Sequence, residues 1–330
     1  MTNWGIIGLG RIARKFADDL RLVPGAKLHA VASTDLERAQ AFANDYDVPH
    51  AFGSYEGIVG CPDLDVVYIA TPHVLHCENT VMCLENGLPV LVEKPFAMNL
   101  AEARRMTEAA RRNRVFLMEA LWTRFIPAIE HAFDLIEKGE IGPVHSLAAD
   151  FGFHAPFDPA WRIFNKSLGG GSLLDVGIYP VLLSQFLFGK PAPADIFATA
   201  TFTETGVDRS CMMNFRFPGD RLSALRSSIA NNSLMLAQIY GEKGTISLHP
   251  RWHHTKKLTV SAFDDANRTE IKHDIEFPYE GWGYSFEAAH VMQCLENQLL
   301  ESPKVPLSFS EDLTETLDTI REKIGMRSEG

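Results

Sequence analysis

Gly5-Ile6-Ile7-Gly8-Leu9-Gly10-Arg11-Ile12-Ala13 decides the fold, because a short apolar run turns through two glycines into a helical pattern. In this spacing the first glycine permits a tight turn and the second lets the backbone approach a pyrophosphate. The small third position, Ala13, lets the helix pack closely on the strand, so the pattern reads GxGxxA. Free N–H groups at such a helix start, aided by the helix dipole, suit a phosphate. Alone, a GxGxxA is a weak signal. Here it follows an apolar strand pattern and opens a β-α-β alternation.

That alternation runs through the first 120 residues. Strand patterns at Trp4–Ile7, Leu28–Ala32, Val66–Ala70, Pro89–Val92 and Val115–Met118 are separated by helical patterns at Ile12–Leu20, Leu36–Asn44, Leu75–Asn86 and Leu100–Arg112. The strands are continuous Val/Ile-rich runs, as in a parallel sheet buried on both faces. A doubly wound α/β sheet of Rossmann type follows. Ser54 is expected to cap a further short helix. After Glu119 the pattern changes. Phe125–Lys138 and Ser172–Phe188 read as helices, and residues 194–275 follow a period-two pattern broken by Pro218-Gly219-Asp220, Asn231-Asn232 and Gly241–Gly244. This predicts an α+β domain with a large, mainly antiparallel open sheet, closed by helices Ser285–Leu300 and Glu311–Ile324. A chain of 330 residues exceeds the usual single core, so the expected division is 1–120 and 121–330.

A net charge of −11 argues against nucleic acid or an anionic membrane surface as partner. No apolar run is expected to span a membrane, and Met1-Thr2-Asn3 leads directly into a strand, leaving no room for a signal peptide. The five scattered cysteines, without a CxxC, read as reduced thiols of a cytoplasmic protein. His73, His76 and Cys77 could share one helix face. They lack the further ligands that zinc requires, so no metal is expected there. His249, His253 and His254 lie in a polar turn region and read as solvated surface.

Ligands bind where the strands of a parallel sheet end. Ala70-Thr71-Pro72, Glu93-Lys94-Pro95 and Met118-Glu119-Ala120 stand at such ends, and Lys94 places a cation at the mouth of the sheet unless it is only a surface partner of Glu93. At the end of the second strand, Ser33 takes the first loop position, with Thr34 beside it and Arg38 a helical turn on. Hydroxyl donors plus a guanidinium suit a 2′-phosphate and favour NADP. With the register shifted by two, Asp35 would bind a ribose and favour NAD.

Together, Gly8-Leu9-Gly10-Arg11-Ile12-Ala13, Ala70-Thr71-Pro72, Glu93-Lys94-Pro95 and Gly169-Gly170-Gly171-Ser172-Leu173-Leu174-Asp175-Val176-Gly177-Ile178-Tyr179 resemble the Gfo/Idh/MocA oxidoreductase family over essentially the whole chain. Met118–Phe125 and Tyr179 are most similar to its dimeric dihydrodiol dehydrogenase and NADP-dependent D-xylose dehydrogenase branch. The resemblance implies hydride transfer between a sugar or vicinal-diol carbinol and the nicotinamide of NADP or NAD. It implies cofactor contacts from Gly8, Gly10, Arg11 and Ile12, from Ser33, Thr34 and Arg38, and from Thr71, Pro72, His73, His76, Glu93 and Lys94. Trp161 and Arg162 would approach the nicotinamide half, and Trp122, Arg124 and Phe153 would border the substrate. Two positions depart from the family: Thr34 stands where NADP-using relatives usually carry a second arginine, and Tyr179 where many carry a histidine.

Tyr179 is either a core aromatic or the acid/base. A free tyrosine titrates near 10, and a neighbouring Lys94 would bring it toward useful basicity. Asp175 is either a substrate partner or the far end of a Ser172-x-x-Asp175 capping box. Its i, i+4 spacing would put it on one helix face with Tyr179. Arg124 and Arg162 are either site residues or structural ion pairs. The competing class is a non-catalytic NAD(P)-binding sensor, for which a Lys94/Tyr179 pair would be superfluous. Three helices suffice for one face of the second sheet, so the other face is expected to pair with a second copy in a homodimer.

Overall fold

The computed structural model describes residues 1–264 and 269–326. It forms two compact units: Met1–Trp122 with Glu280–Thr314, and Thr123–Tyr279 with the chain from Glu315 onward. The first unit runs β1 (Thr2–Ile7), α1 (Arg11–Leu20), β2 (Ala26–Ala32), α2 (Leu36–Tyr46), β3 (His50–Phe52), β4 (Val66–Ile69), α3 (His76–Glu85), β5 (Val90–Glu93), α4 (Leu100–Asn113) and β6 (Leu117–Ala120). The strands make one wholly parallel sheet in the order β3-β2-β1-β4-β5-β6. Every residue of β4, β5 and β6 is buried, which accounts for their mainly apolar character; Glu93 and Glu119 are the charged exceptions in these three strands. The strand order reverses between β1 and β4, and the loops leaving the strand ends there build the ligand crevice of such sheets. Ser54 stands one residue ahead of the cap position, which Tyr55 takes, but its hydroxyl still accepts the Gly57 N–H at 3.2 Å at the short turn Glu56–Gly60.

The second unit contains α5 (Pro127–Glu137), β7 (Val144–Gly152), α6 (Ile178–Phe188), β8 (Ile196–Phe202), β9 (Asp208–Phe217), β10 (Arg221–Ser228), β11 (Ala237–Gly241), β12 (Gly244–Leu248), β13 (Lys257–Asp264) and β14 (Thr269–Glu276). Its eight-stranded sheet has the order β14-β13-β12-β11-β7-β10-β9-β8. All neighbours are antiparallel except β7 and β10, which run parallel. Burial alternates along β9, with Met213 and Phe215 inside and Met212 and Asn214 outside. Helices α5 and α6 cover the inner face. Residues 166–188 are long and apolar enough to cross a membrane, contrary to expectation, but they are mostly buried within the protein, as a core helix is.

The remaining helices are α7 (Tyr284–Glu296) and α8 (Leu307–Lys323), the latter holding the division between the units. Expectation placed α7 on the second sheet. It packs instead on α1 of the first unit, so Glu280–Thr314 groups with residues 1–122. The cause is Asp19, fully buried on α1. Its carboxylate accepts the N–H groups of Trp282, Gly283, Tyr284 and Ser285 at 2.7–3.4 Å, satisfying the donors at the α7 start.

Candidate active site

In the first unit the site is built around Gly8. Its φ is +89°, and a Cβ there would lie 2.8 Å from the Ala70 and Thr71 backbone, so only glycine allows β1 to turn beneath the end of β4. A Cβ on Gly10 would meet nothing within 4 Å, which leaves its backbone open to a ligand. Gly10 is also the N-cap of α1 and makes no side-chain cap hydrogen bond, and the first turn carries no acid. Arg11 is exposed and Ile12 half-buried, while Ala13 is fully buried where helix meets sheet. Uncapped N–H groups beside an open glycine fit the pyrophosphate of a dinucleotide.

Strand β2 ends at Ala32, so Ser33 is the first loop residue, as the expected register requires. Ser33 is buried, and its hydroxyl accepts the Asp35 N–H at 3.3 Å; Thr34 and Arg38 are exposed. The Asp35 carboxylate accepts the N–H groups of Glu37 and Arg38 at 2.8 and 3.2 Å as the N-cap of α2. That engagement accounts for Asp35 without a ribose.

At the ends of β4 and β5, His76 lies fully buried with Nδ1 2.8 Å from the Pro95 carbonyl and Nε2 3.0 Å from the Thr71 carbonyl. It staples the Thr71-Pro72-His73 turn to the Glu93-Lys94-Pro95 loop. This corrects the expectation of a cofactor contact: both ring nitrogens face the protein's own backbone, so His76 is a positioning residue. The same contacts occupy it as a metal ligand beside His73 and Cys77. Glu93 is buried, accepting the Tyr68 phenol at 2.5 Å and the Lys94 N–H at 3.1 Å. Lys94 itself is half-buried. Beneath the loop, Glu119 accepts the Phe96 N–H at 2.8 Å, and burial pushes its carboxyl up to about 8. Trp122 stacks on Tyr284 at 4.6 Å, which buries it within the first unit.

In the second unit Tyr179 is buried against the rings of Phe151 and His253, with centroids at 5.3 and 5.1 Å. His253 stacks on Phe151 at 4.3 Å and is itself buried, which corrects its reading as solvated surface. Nothing in the local sequence reveals this, since Phe151 is far away along the chain. Asp175 forms an ion pair with Arg162. No capping box forms: Ser172 donates to Asp208 at 2.7 Å, and the Leu173 N–H donates to the same carboxylate. Asp208 had no sequence signal beyond opening a strand. Phe153 packs on the small cluster of Ala155, Ile163, Phe164 and Ile229. Trp161 is partly exposed and lies edge-on to Phe164 at 6.1 Å. Arg124 pairs with Glu130 and lies 4.8 Å over Phe133 and 5.6 Å over Phe186. Those contacts make it a structural cation rather than a substrate-bordering residue.

Comparison with known proteins agrees with this geometry. Residues 2–121 match the family described as oxidoreductase family, NAD-binding Rossmann fold, and residues 129–247 match the GFO/IDH/MocA C-terminal domain. The chain is 38% identical over 334 residues to a trans-1,2-dihydrobenzene-1,2-diol dehydrogenase of Xenopus laevis, covering 98% of each chain. Two solved structures share the fold at 22% identity. One is a levoglucosan dehydrogenase in complex with NADH and L-sorbose, with a TM-score of 0.87 over 98% of this chain and 96% of that one. The other is a 3-ketoreductase from Actinomadura kijaniata in complex with NADP, with a TM-score of 0.82 over 98% and 97%.

Glu119 yields a pH test. Its folded value of about 8 stands above the ordinary 4.5, so the folded state keeps a proton that the unfolded chain releases. The stabilisation is complete below about 4.5 and is lost as pH rises toward 8. Glu119→Gln stays neutral throughout and keeps an acceptor for Phe96. Its Tm relative to the parent should therefore climb between pH 5 and 8 and level off above, and a pH-independent difference would show an ionised Glu119.

Proposed function

The chain belongs to the Gfo/Idh/MocA oxidoreductase family, and on that footing we propose that it is an NADP-dependent dehydrogenase oxidising a CH–OH carbon of a vicinal diol or sugar. The observation that carries this reading is the open, uncapped α1 start at Gly10, at the end of the sheet from which Lys94 also emerges. The α1 N–H groups, with Arg11 and Ile12, hold the pyrophosphate. Thr71, Pro72, His73, Glu93 and Lys94 serve the ribose and nicotinamide. When bound, the nicotinamide supplies the hydride acceptor. Tyr179 takes the proton of the substrate hydroxyl, and Lys94 supplies a cation at the mouth of the first unit's sheet. Asp175, oriented by Arg162, accepts a hydrogen bond from a substrate hydroxyl, and Trp122 and Phe153 border the substrate. Support for NADP over NAD comes from Ser33, Thr34 and Arg38, where no acid takes the first loop position to repel a 2′-phosphate.

The outer face of the second sheet supports a homodimer. Phe197, Met212, Leu222 and Tyr240 are each at least 41% exposed on neighbouring strands, with Asn214, Ala224 and Gln238 among them. An exposed, partly apolar patch of this kind is what a two-fold contact between identical chains buries.

Three outcomes test these readings. Arg38→Ala should weaken NADP binding roughly 10–10²-fold while leaving NAD binding unchanged, since a charge-assisted contact to the phosphate is worth roughly 1.5–3 kcal/mol. Equal titration of both cofactors in parent and variant, read by tryptophan quenching, would remove the NADP preference. Light scattering at micromolar concentration should give twice the chain mass, falling toward one chain in Leu222→Glu; a monomeric parent would rule the dimer out. Tyr179→Phe should lower turnover on diols or aldoses roughly 10²–10⁴-fold with cofactor binding nearly intact. Lys94→Ala should cost as much and weaken cofactor binding too, and the double variant should fall far short of the product of the two losses. Near-full turnover of Tyr179→Phe would reduce the tyrosine to a core aromatic.

A further inference from the structure

A second cluster of ligating side chains lies in the first unit, away from the loops that leave β1, β2 and β5. His29 is in β2, His50 opens β3 beside it, and Cys61 follows the turn Glu56–Gly60 ahead of β4. A ring nitrogen from each histidine and the Cys61 Sγ all lie within 4.8 Å of one another. The two rings meet edge-on with centroids 4.8 Å apart.

The state of His29 gives the cluster its chemistry. Its Nε2 lies 3.1 Å from the Pro62 carbonyl, an acceptor, so Nε2 carries the proton of the neutral ring and Nδ1 is left as a lone pair. That Nδ1 is buried and has no hydrogen-bond partner among the described residues. A ring with one nitrogen donating to a backbone carbonyl and the other left as a bare lone pair is the arrangement found behind metal-ligating histidines.

We propose that His29, His50 and Cys61 form a site for a borderline-soft divalent metal, Zn²⁺ fitting best, with water in the fourth position. Two imidazoles and a thiolate are zinc's preferred donors. Tetrahedral Zn–N and Zn–S bonds would set the donor atoms about 3.3–3.6 Å apart, so closing the site takes about an ångström of side-chain rotation. Both histidines are half-buried, which gives solvent a path to the open position. Binding forms two Zn–N bonds and one Zn–S bond and expels the Cys61 thiol proton to water. In the metal-free protein Cys61 is a protonated thiol, because burial, with Asp63 adding to it, pushes its pKa up. The ion ties β2, β3 and the approach to β4 together, so it acts on stability rather than on turnover.

The test uses the full chain, reduced and stripped of metal with a chelator. Titration with Co²⁺ should give a near-ultraviolet thiolate-to-cobalt band with tetrahedral visible bands, displaced by one equivalent of Zn²⁺, and Zn²⁺ should raise Tm. Cys61→Ser should lose the thiolate band. His50→Ala, altering a half-exposed side chain, should lower Zn²⁺ affinity at least tenfold while keeping the metal-free Tm. Either of two results would overturn the site: a parent cobalt spectrum without the thiolate band, or His50→Ala binding Zn²⁺ as tightly as the parent, which marks an adventitious ion only.

Discussion

The crevice of the first unit depends on how closely Gly8 passes the end of β4. Any side chain at Gly8 would collide with the Ala70–Thr71 backbone, and the Gly8 N–H is itself fixed to the Ala32 carbonyl at 3.1 Å. The ends of β1, β2 and β4 are thereby drawn to one point, and the start of α1 opens above them. The constraint does not stop there. Thr71, held against Gly8, lends its carbonyl to His76, whose other nitrogen meets the Pro95 carbonyl. Through two backbone acceptors on one buried ring, the placement of Lys94 is tied to the absence of a Cβ at residue 8.

Four buried carboxylates surround this frame, each accommodated differently. The Asp19 carboxylate accepts from four backbone N–H groups, and Gly281, at φ +73°, lets the chain come close enough to supply them. Glu93 accepts the Tyr68 phenol. Glu287 has neither oxygen hydrogen-bonded among the described residues, and burial, followed by the charges of Glu93 and Asp19, pushes its pKa well up. Glu119 is raised for the same first reason. A low-dielectric interior disfavours several anions close together, and burial raises Glu287 and Glu119 accordingly.

The legible parts of the sequence were those in which burial is uniform or strictly periodic. β1, β4 and β5 read as parallel strands because both faces are covered, and β9 and β10 read as half-buried because their alternation is regular. β3 was missed because three half-buried residues carry no pattern. β7 was missed because its sequence Val-His-Ser-Leu-Ala-Ala-Asp-Phe-Gly mixes signals and its place beside β10 is fixed by a distant partner. The site shows the same division. Gly8, Ser33 and Lys94 were legible because each stands next to an apolar run that defines its strand end. The burial of His253 and the role of Asp208 depend on partners remote in sequence, which no local rule reaches.

The segment Gly169–Tyr179 shows how a motif can be right while its local reading fails. A Cβ on Gly170 would lie 2.7 Å from the Arg162 and Ile163 carbonyls, and one on Gly171 would lie 2.1 Å from an Asp208 oxygen. The glycines are there so that the chain can thread between the Arg162 loop and the start of β9. Threading brings Arg162 to Asp175 and Asp208 to Ser172, which removes both partners of the expected capping box. Residues Leu173–Gly177 then form a π-helical turn before α6 begins. A widened turn between Asp175 and Tyr179 departs from about 100° per residue, so i, i+4 spacing does not by itself put them on one face. Such turns are uncommon and persist where surrounding contacts over-determine them, as the Asp208, Ser227 and Arg162 contacts do here. The orientation of Asp175 is thus set by its guanidinium partner and that of Tyr179 by the flanking rings of Phe151 and His253, rather than by the helix that carries them.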